Sequence, residues 1–146
     1  MSGYGSGGAG ESMSEDAGRE SGSGSGSGAG GWYPLLLNVR GKRCVVVGGG
    51  AVAERKTAGL LDAGADVLVV SPEATERLRR WAEDGRIRWA RRAFEDGDAE
   101  GATLAFAATD DAAVNGRVLG AARERGVPAN VADDGDRGEF VVPAVV

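Results

Sequence analysis

Three consecutive glycines, Gly48 to Gly50, separate a short apolar segment from a helical one. Cys44 to Val47 is apolar and mostly β-branched, which is typical of a strand that is buried on both faces. An alanine-bearing segment with helical character follows the glycines directly. The succession of strand, tight turn and helix predicts the first unit of a sheet that is covered by crossover helices.

The glycine turn also matches a fingerprint for dinucleotide binding. Gly48, Gly50 and Ala53 fit the pattern G-x-G-x-x-G/A, in which small residues permit the turn, the approach of a pyrophosphate and close helix packing. The free N–H groups at the start of the helix would face the phosphates. We therefore expect a cofactor to contact Gly48, Gly50, Ala51 and Val52. Glycine-rich turns occur in many folds. The pattern alone therefore leaves two interpretations, a nucleotide-binding turn and a turn that binds no nucleotide.

The rest of the chain alternates short apolar segments with helical ones. Further strands are predicted at 66–71, 87–89, 103–107, 129–132 and 139–142, and helices at 51–62, 73–84 and 112–125. Thr109 or Asp110 is a natural N-cap for the last helix, and residues 94–101 form an acidic connection with little helical character. The alternation predicts an α/β fold, a Rossmann-like doubly wound parallel sheet with a strand order such as 3-2-1-4-5-6.

Residues 1–31 differ in composition from all that follows. They contain 12 Gly and 8 Ser but no Val, Ile, Leu or Phe, so they cannot bury enough apolar surface to offset the entropy of ordering. We expect a disordered Gly/Ser-rich tail at 1–31, serving either as a plain extension or as an interaction arm, and an NAD-binding domain at 32–146. No signal-peptide pattern or membrane-spanning run is present, so we expect a cytoplasmic protein that does not enter a membrane.

Charge and composition exclude several classes of function. The net charge is −5, from 17 basic and 22 acidic residues, which is not the profile of a nucleic-acid-binding protein. The single cysteine, Cys44, lies in the first predicted strand and is expected to be a small buried hydrophobe that suits a reducing compartment. The chain has no histidine, which removes Ser-His and Cys-His mechanisms and the usual zinc and haem ligand sets.

The end of the second predicted strand departs from the usual NAD pattern. An acidic residue commonly holds the ribose hydroxyls there, but this chain has Ser71, Pro72 and Glu73. The Ser71 hydroxyl, backbone groups or Glu73 would have to bind the ribose. No arginine stands directly after the strand to attract a 2′-phosphate, so NAD is favoured over NADP as the cofactor.

Other polar side chains are expected at the same edge of the sheet. Thr109, Asp110 and Asp133 follow later strands, and the carboxyl ends of parallel strands share one edge. Each aspartate has a structural alternative, a helix cap or a solvated loop. Seven arginines fall within positions 77–92; they form either a solvated face or an electrostatic attractor for a polyanionic ligand.

Four stretches together resemble one family, the precorrin-2 dehydrogenases. That family forms the amino-terminal module of sirohaem synthase and also occurs as bifunctional dehydrogenase and sirohydrochlorin ferrochelatase. The stretches are 33–56 with Gly-Gly-Gly before Ala-Glu-Arg-Lys, 70–73 with its non-acidic strand ending, 107–118 with Ala-Ala-Thr-Asp-Asp, and 130–144 with Asn-Val-Ala-Asp. The resemblance therefore covers residues 33–144 in order and spacing.

The resemblance implies a reaction, a substrate and a catalytic residue. The reaction would be the NAD-dependent oxidation of precorrin-2 to sirohydrochlorin, with the nicotinamide at the edge shared by strands 1 and 4. In some organisms a metal ion, ferrous or cobalt, is then inserted at the same site. Asp133 matches the family aspartate implicated in both activities and could accept a proton from the tetrapyrrole. The arginine-rich region is a possible contributor to binding its eight carboxylates, although the family motif gives it no such role.

The resemblance also leaves alternatives open. The family normally continues beyond Phe-x-x-Pro-Ala into a helical region that forms a homodimer and completes the tetrapyrrole site, whereas this sequence ends at Val146. A truncated homologue that only binds the cofactor is one alternative, and chelation without oxidation is another. A third is a regulatory NAD-sensing domain, although such domains usually keep the acidic residue where Ser71 stands and lack Asn-Val-x-Asp.

Overall fold

The computed structural model describes residues 31–132 and 137–142. The chain divides into two units, Met1–Leu37 and Asn38–Val146. In the first unit, residues 31–37 contain neither helix nor strand, and the tail predicted at 1–31 lies outside the described residues except for Gly31. The fold below is that of the second unit.

Strands and helices alternate along the described part of the second unit. The α-helices are α1 (Ala51–Asp62), α2 (Glu76–Glu83) and α3 (Ala112–Glu124), and a short 3₁₀ helix spans Asp96–Ala99. The strands are β1 (Arg43–Val47), β2 (Asp66–Val70), β3 (Arg88–Ala90), β4 (Leu104–Ala107), β5 (Ala129–Val131) and β6 (Arg137–Gly138).

The strands form one sheet with the order β3-β2-β1-β4-β5-β6, which confirms the predicted doubly wound α/β topology. Strand β1 is central and pairs in parallel with both β2 and β4; Val47, for example, is opposite Val70 on one side and Ala107 on the other. The carboxyl ends of β1, β2 and β4 therefore lie side by side, where ligands bind in such sheets.

The last strand differs from the prediction. Strand β6 comprises Arg137–Gly138 and runs antiparallel to β5, whereas a strand was predicted at 139–142. The connection from β5 is too short for a crossover, so the chain can only return antiparallel. Gly138 has φ +131°, and a Cβ atom there would overlap the carbonyl oxygen of Ala129.

The start of α2 and the N-cap residue of α3 also differ from the prediction. Helix α2 begins at Glu76 because residues 71–73 form a separate turn and Thr75 is the N-cap, accepting from the N–H of Leu78 at 3.2 Å. The N-cap of α3 is Asp111, which accepts from the N–H groups of Ala113 and Val114. The prediction of Thr109 or Asp110 as the cap was therefore wrong.

The core lies on both faces of the sheet. Val46 and Val69 pack towards α1 and α2 in a cluster with Leu78, and Val45 packs on the opposite face with Val118 of α3. Cys44 is fully buried, and burial raises the pKa of its thiol to about 11. The thiol therefore stays neutral at physiological pH, which confirms its role as a buried hydrophobe. None of the helices in the described ranges is both long and apolar enough to span a bilayer.

Candidate cofactor site

The first glycine of the turn is fixed by the meeting of three strand ends. Gly48 follows β1 and has φ +134°, and a Cβ atom there would overlap the carbonyl oxygen of Ala108 beyond β4. Its N–H donates to the carbonyl oxygen of Val70 on β2 at 3.0 Å. A residue with a side chain would separate β1 from β4, so glycine is needed at this position.

The second glycine, Gly49, is equally constrained, although the fingerprint assigns it no role. A Cβ atom at Gly49 would overlap the carbonyl oxygen of Glu73 and lie 2.8 Å from the Ser71 hydroxyl. The carbonyl oxygen of Gly49 accepts from the N–H of Thr75 at 3.0 Å. The glycine turn and the chain that leads into α2 are therefore packed backbone against backbone. The sequence signal for this contact was the additional glycine at position 49, between the two glycines of the fingerprint.

The third glycine, Gly50, faces open space instead. It is the N-cap residue of α1 with φ −98° and has no side chain to cap the helix, and a Cβ atom added there would meet nothing within 4 Å. The first backbone bond back to its carbonyl oxygen comes from Glu54 at 2.9 Å. The N–H groups of residues 51–53 therefore have no partner within the helix and fit an anionic group such as a pyrophosphate.

A cleft of about 640 Å³ opens at this edge of the sheet, within the range usual for small-molecule sites. All nine residues predicted to contact the cofactor line it, namely Gly48, Gly50, Ala51, Val52, Ser71, Pro72, Glu73, Thr109 and Asp110. The topology brings them together from the ends of β1, β2 and β4. That they bind the cofactor remains a prediction.

The turn after β2 is held by the hydroxyl of Ser71. This hydroxyl donates to the carbonyl oxygen of Glu73 at 2.6 Å, and the indole N–H of Trp89 donates to the carbonyl oxygen of Ser71 at 2.9 Å. Ser71 is buried, and its hydroxyl proton is already donated within the turn. The hydroxyl therefore fixes the shape of the cleft wall and has no proton left to donate to a ligand. The exposed Glu73 is the carboxylate on this wall.

The turn after β4 is held by a buried side chain, Asn115 of α3. Its Oδ1 atom accepts from the hydroxyl of Thr109 at 2.7 Å and from the N–H of Thr109 at 3.2 Å, and its Nδ2 atom donates to the carbonyl oxygen of Thr109 at 3.0 Å. Site prediction missed this residue, although it stands six positions after Thr109 in the stretch that carried the resemblance. Asn115 fixes the path of the chain from β4 to the exposed Asp110.

The far wall of the cleft was not predicted from the sequence. It consists of Ala93 and Phe94, which follow β3, and Val114 and Arg117, which lie on α3. The guanidinium of Arg117 lies over the ring of Phe94, 5.7 Å from its centroid, and an Nη2–H donates to the carbonyl oxygen of Phe94 at 3.2 Å. No periodicity relates residues of a loop and a helix 23 positions apart, so only the fold brings them together.

The arginine-rich region 77–92 does not line this cleft. Four of its arginines instead make ion pairs on the protein surface, Arg77 with Glu54, Arg80 with Glu76, Arg88 with Asp66, and Arg92 with Asp98. This arrangement favours the interpretation of the region as a solvated face over that of an electrostatic attractor.

The predicted catalytic residue, Asp133, lies outside the described residues. The chain approaches it from Ala132, whose N–H donates to the carbonyl oxygen of Ala107 at 2.9 Å, beside the end of β4. Within the ranges 31–132 and 137–142, no group of three or more His, Cys, Asp or Glu residues could hold a metal ion.

Comparison with known proteins identifies the family. A protein-family model for NAD(P)-binding domains matches residues 35–144. The siroheme synthase of Nitrosococcus oceani is 42% identical over 115 residues, covering 79% of this chain and 25% of the relative, and that of Methylococcus capsulatus is 45% identical over 115 residues, covering 79% and 24%. The chain thus spans about a quarter of the length of these curated relatives.

A solved structure is similar as well. SirC, a precorrin-2 dehydrogenase, superimposes with a TM-score of 0.69 at 30% sequence identity, covering 77% of this chain and 55% of SirC. The family model matches most of the chain, and SirC is similar in structure. Both findings agree with the interpretation of the glycine turn and the cleft beside it as a cofactor site. The chain therefore belongs to this NAD(P)-binding family, and its predicted resemblance to the precorrin-2 dehydrogenases is confirmed.

Proposed function

We propose that this chain binds NAD and takes part in the oxidation of precorrin-2 to sirohydrochlorin, a step towards sirohaem. The observation that carries the proposal is the cleft at the ends of β1, β2 and β4, into which the uncapped N-terminus of α1 opens. The similarity to siroheme synthases and to SirC supports the choice of substrate.

The oxidation removes one hydride and one proton from the tetrapyrrole. NAD, when bound, accepts the hydride. The N-terminus of α1 would orient the cofactor through its pyrophosphate, and the hydrogen bonds of Asn115 to Thr109 hold the edge of the site rigid. Asp133 would accept the proton; this role rests on its match to the family aspartate and on the acid-base capacity of a carboxylate.

We propose NAD rather than NADP as the cofactor because of the wall formed by Ser71, Pro72 and Glu73. The exposed carboxylate of Glu73 would repel a 2′-phosphate, and Ser71 offers no positive charge to hold one. Calorimetric titration should give a lower Kd for NAD than for NADP. Glu73→Gln should lower the ratio of the Kd for NADP to the Kd for NAD severalfold. Tighter binding of NADP than of NAD by the unmodified chain would contradict the choice of NAD as the cofactor.

The oxidation can be tested by an anaerobic assay with precorrin-2 and NAD. The absorbance of NADH should rise only when both are present. Asp133→Asn should lower turnover at least tenfold while the Kd for NAD stays within a fewfold, because the residue is proposed to act on the substrate. Asp84→Asn, at the exposed end of α2, is the matched control and should leave both quantities unchanged.

Two outcomes of that assay would contradict the proposal in different ways. If NAD binds but neither this chain nor a longer chain that includes it forms NADH, the protein is a binding or sensing domain. If Asp133→Asn loses turnover and NAD affinity equally, the aspartate supports the cofactor site and is not the base.

We also propose a metal-insertion activity, a homodimer and a cytoplasmic location. Sirohydrochlorin could receive a ferrous or cobalt ion at the same site, which would be visible as a spectral change on adding the ion to sirohydrochlorin without NAD. Assembly as a homodimer in a longer chain is testable by sedimentation velocity. A cytoplasmic location is supported by the similarity to siroheme synthases and by the single buried thiol of Cys44, which suits a reducing compartment.

A further inference from the structure

We infer that Lys56 of α1 binds a peripheral carboxylate of the tetrapyrrole and so anchors the macrocycle beside the nicotinamide. This inference rests on the proposed tetrapyrrole substrate and assigns a contact with it to a residue that does not line the cofactor cleft. It concerns the face of the sheet on which α1 packs, at the end of β4.

The ammonium of Lys56 is held beside a pair of aromatic rings. Its Nζ atom lies 5.9 Å from the ring centroid of Phe106 on β4, and Phe140 meets Phe106 edge to face with the centroids 5.4 Å apart. Phe106 is 3% exposed, and Lys56 is itself partly buried. The lysine side chain is therefore partly desolvated and ordered against an apolar surface before any ligand binds.

This ammonium has no ion pair with any carboxylate of residues 31–132 and 137–142. Glu54, in the first turn of the same helix, pairs instead with Arg77 of α2 at 3.4 Å. The face of Phe106 attracts the cation but does not neutralise it. A partly buried cation of this kind gains from a ligand carboxylate that completes the pair.

The position of Lys56 matches the reacting end of the cofactor. The N-terminus of α1 fits the pyrophosphate, and such folds hold the adenosine ribose at the end of β2, so the nicotinamide extends towards β4 and β5. Phe106 is the last residue but one of β4, and Ala132, which leads to Asp133, packs in the same apolar cluster. Lys56 stands five residues after the start of α1, about 7.5 Å along the helix axis. Its ammonium therefore flanks the edge of the sheet where the substrate must meet the nicotinamide.

The chemistry of the proposed substrate supplies the missing anion. Precorrin-2 carries carboxylates around the rim of its macrocycle, so a cation that flanks the nicotinamide can pair with one of them. The arginine-rich region 77–92 does not line the cleft, and four of its arginines are already ion-paired. A cofactor phosphate is the competing ligand, but Ala51 and Val52 line the cleft at the start of α1 and Lys56 does not.

The test uses uroporphyrin, an octacarboxylic tetrapyrrole that gives no hydride to NAD, so that binding is measured without turnover. The anisotropy of its fluorescence reports binding to four proteins with NAD in excess: the unmodified chain, Lys56→Met, Lys56→Arg and Lys42→Met. Methionine keeps the apolar stem beside Phe106 but removes the charge. Lys42 is the matched control because it is an exposed lysine that precedes β1, at the opposite edge of the sheet. Calorimetry gives the Kd of each protein for NAD, and thermal unfolding verifies that each one folds.

Lys56→Met should raise the Kd for uroporphyrin about tenfold, the size expected for the loss of one charge-assisted hydrogen bond, and leave the Kd for NAD within about twofold. Lys56→Arg should keep most of the affinity because it keeps the charge. Added salt should weaken binding to the unmodified chain more than to Lys56→Met, since the variant lacks one screened ion pair. In the anaerobic assay, Lys56→Met should raise the KM for precorrin-2 while kcat stays within about twofold. Lys42→Met should match the unmodified chain in every measurement.

Several results would overturn the inference. Failure of the unmodified chain to bind uroporphyrin, or equal affinity in Lys56→Met, would show that the lysine does not hold the macrocycle. Equal weakening of NAD and uroporphyrin would indicate a distorted α1, and an equal loss in Lys42→Met would indicate an effect of net charge. Failure of the proposed function is a distinct outcome: uroporphyrin would bind through Lys56, but no NADH would form from precorrin-2, either with this chain or with a longer chain that includes it.

Discussion

Adjacent glycines in the turn have different physical roles. Gly49 is surrounded by the backbone of the turn after β2, whereas Gly50 borders open space beside the N-terminus of α1. The first residue therefore holds two loops together, and the second keeps a helix end accessible to a ligand. Stability and cofactor affinity should respond separately to substitutions at the two positions.

Gly49→Ala should lower the free energy of unfolding by about 3 kcal/mol, because its Cβ atom would overlap the Glu73 carbonyl oxygen and backbone must move to relieve it. Gly50→Ala should change stability by less than about 1 kcal/mol but weaken NAD at least tenfold, because a methyl group would enter the space that the pyrophosphate needs. Urea unfolding and calorimetry measure the two effects. Equal loss of stability in both variants would show that the distinction is wrong.

The buried amide of Asn115 supports a second prediction. Asn115→Ala would leave the N–H and hydroxyl of Thr109 without their shared acceptor, so we expect a loss of about 2 to 3 kcal/mol in the free energy of unfolding. Thr109→Val keeps the backbone bonds to Asn115 and should cost only about 1 kcal/mol. If urea unfolding gave the reverse order, the hydroxyl and not the amide would be the main support of this turn.

Among the elements, the 3₁₀ helix is held by a charge pair that should respond to pH. Arg92 donates to Oδ1 of Asp98 at 2.8 Å, and Oδ2 of Asp98 accepts from the N–H of Glu95 at 2.8 Å. The hydrogen bond from Arg92 lowers the pKa of Asp98 below its usual value. This contribution to stability is therefore complete above the unfolded-state pKa of about 3.9 and is lost as pH falls through the lower folded-state pKa.

Asp98→Asn should accordingly reduce the free energy of unfolding at pH 7, and its difference from the unmodified chain should shrink in acid below about pH 3. Chemical unfolding at both pH values measures the change. Glu76→Gln removes an exposed ion pair within α2 and serves as a control, with an effect of less than about 0.5 kcal/mol at pH 7. If the free energies of unfolding of Asp98→Asn and the unmodified chain differed by the same amount at both pH values, the ionised Asp98 carboxylate would not be the source of the stability.

Elements were predictable where local signals agreed. The bounds of α1 are those predicted, because the glycine turn starts it and Gly64, with φ +80°, ends it. The start of α2 was misplaced since a side-chain turn at Ser71 competes with the helix. The bounds of β6 depend on pairing with β5, a tertiary contact that a few residues of sequence do not reveal.

For the whole molecule, the sequence predicted one side of the cleft and missed the other. The residues after β1, β2 and β4 were predicted because each follows an apolar run, and parallel topology brings such ends together. Phe94 and Arg117 carry no such signal, since their positions depend on how α3 packs beside the chain that follows β3. The predicted base, Asp133, was inferred from resemblance alone and remains a prediction.

Cofactor binding should also raise the stability of the whole domain. NAD at 100 times its Kd should add about 2.7 kcal/mol to the free energy of unfolding, provided that only the folded chain binds it. Thermal unfolding with and without NAD measures the shift in Tm. At the same NAD concentration, a Kd at least tenfold higher in Gly50→Ala should lower the added stability to about 1.4 kcal/mol or less. A shift of equal size in that variant would argue against the N-terminus of α1 as the pyrophosphate site.

The pairing of β1 with both β2 and β4 has a consequence for folding during synthesis. Cys44 pairs with Val67 early in the chain but with Leu104 only much later. As the chain leaves the ribosome, β1 and β2 can associate while one edge of β1 stays unpaired until β4 appears. The closure of this long loop should limit the folding rate, and chains interrupted before β4 should expose an apolar edge and aggregate.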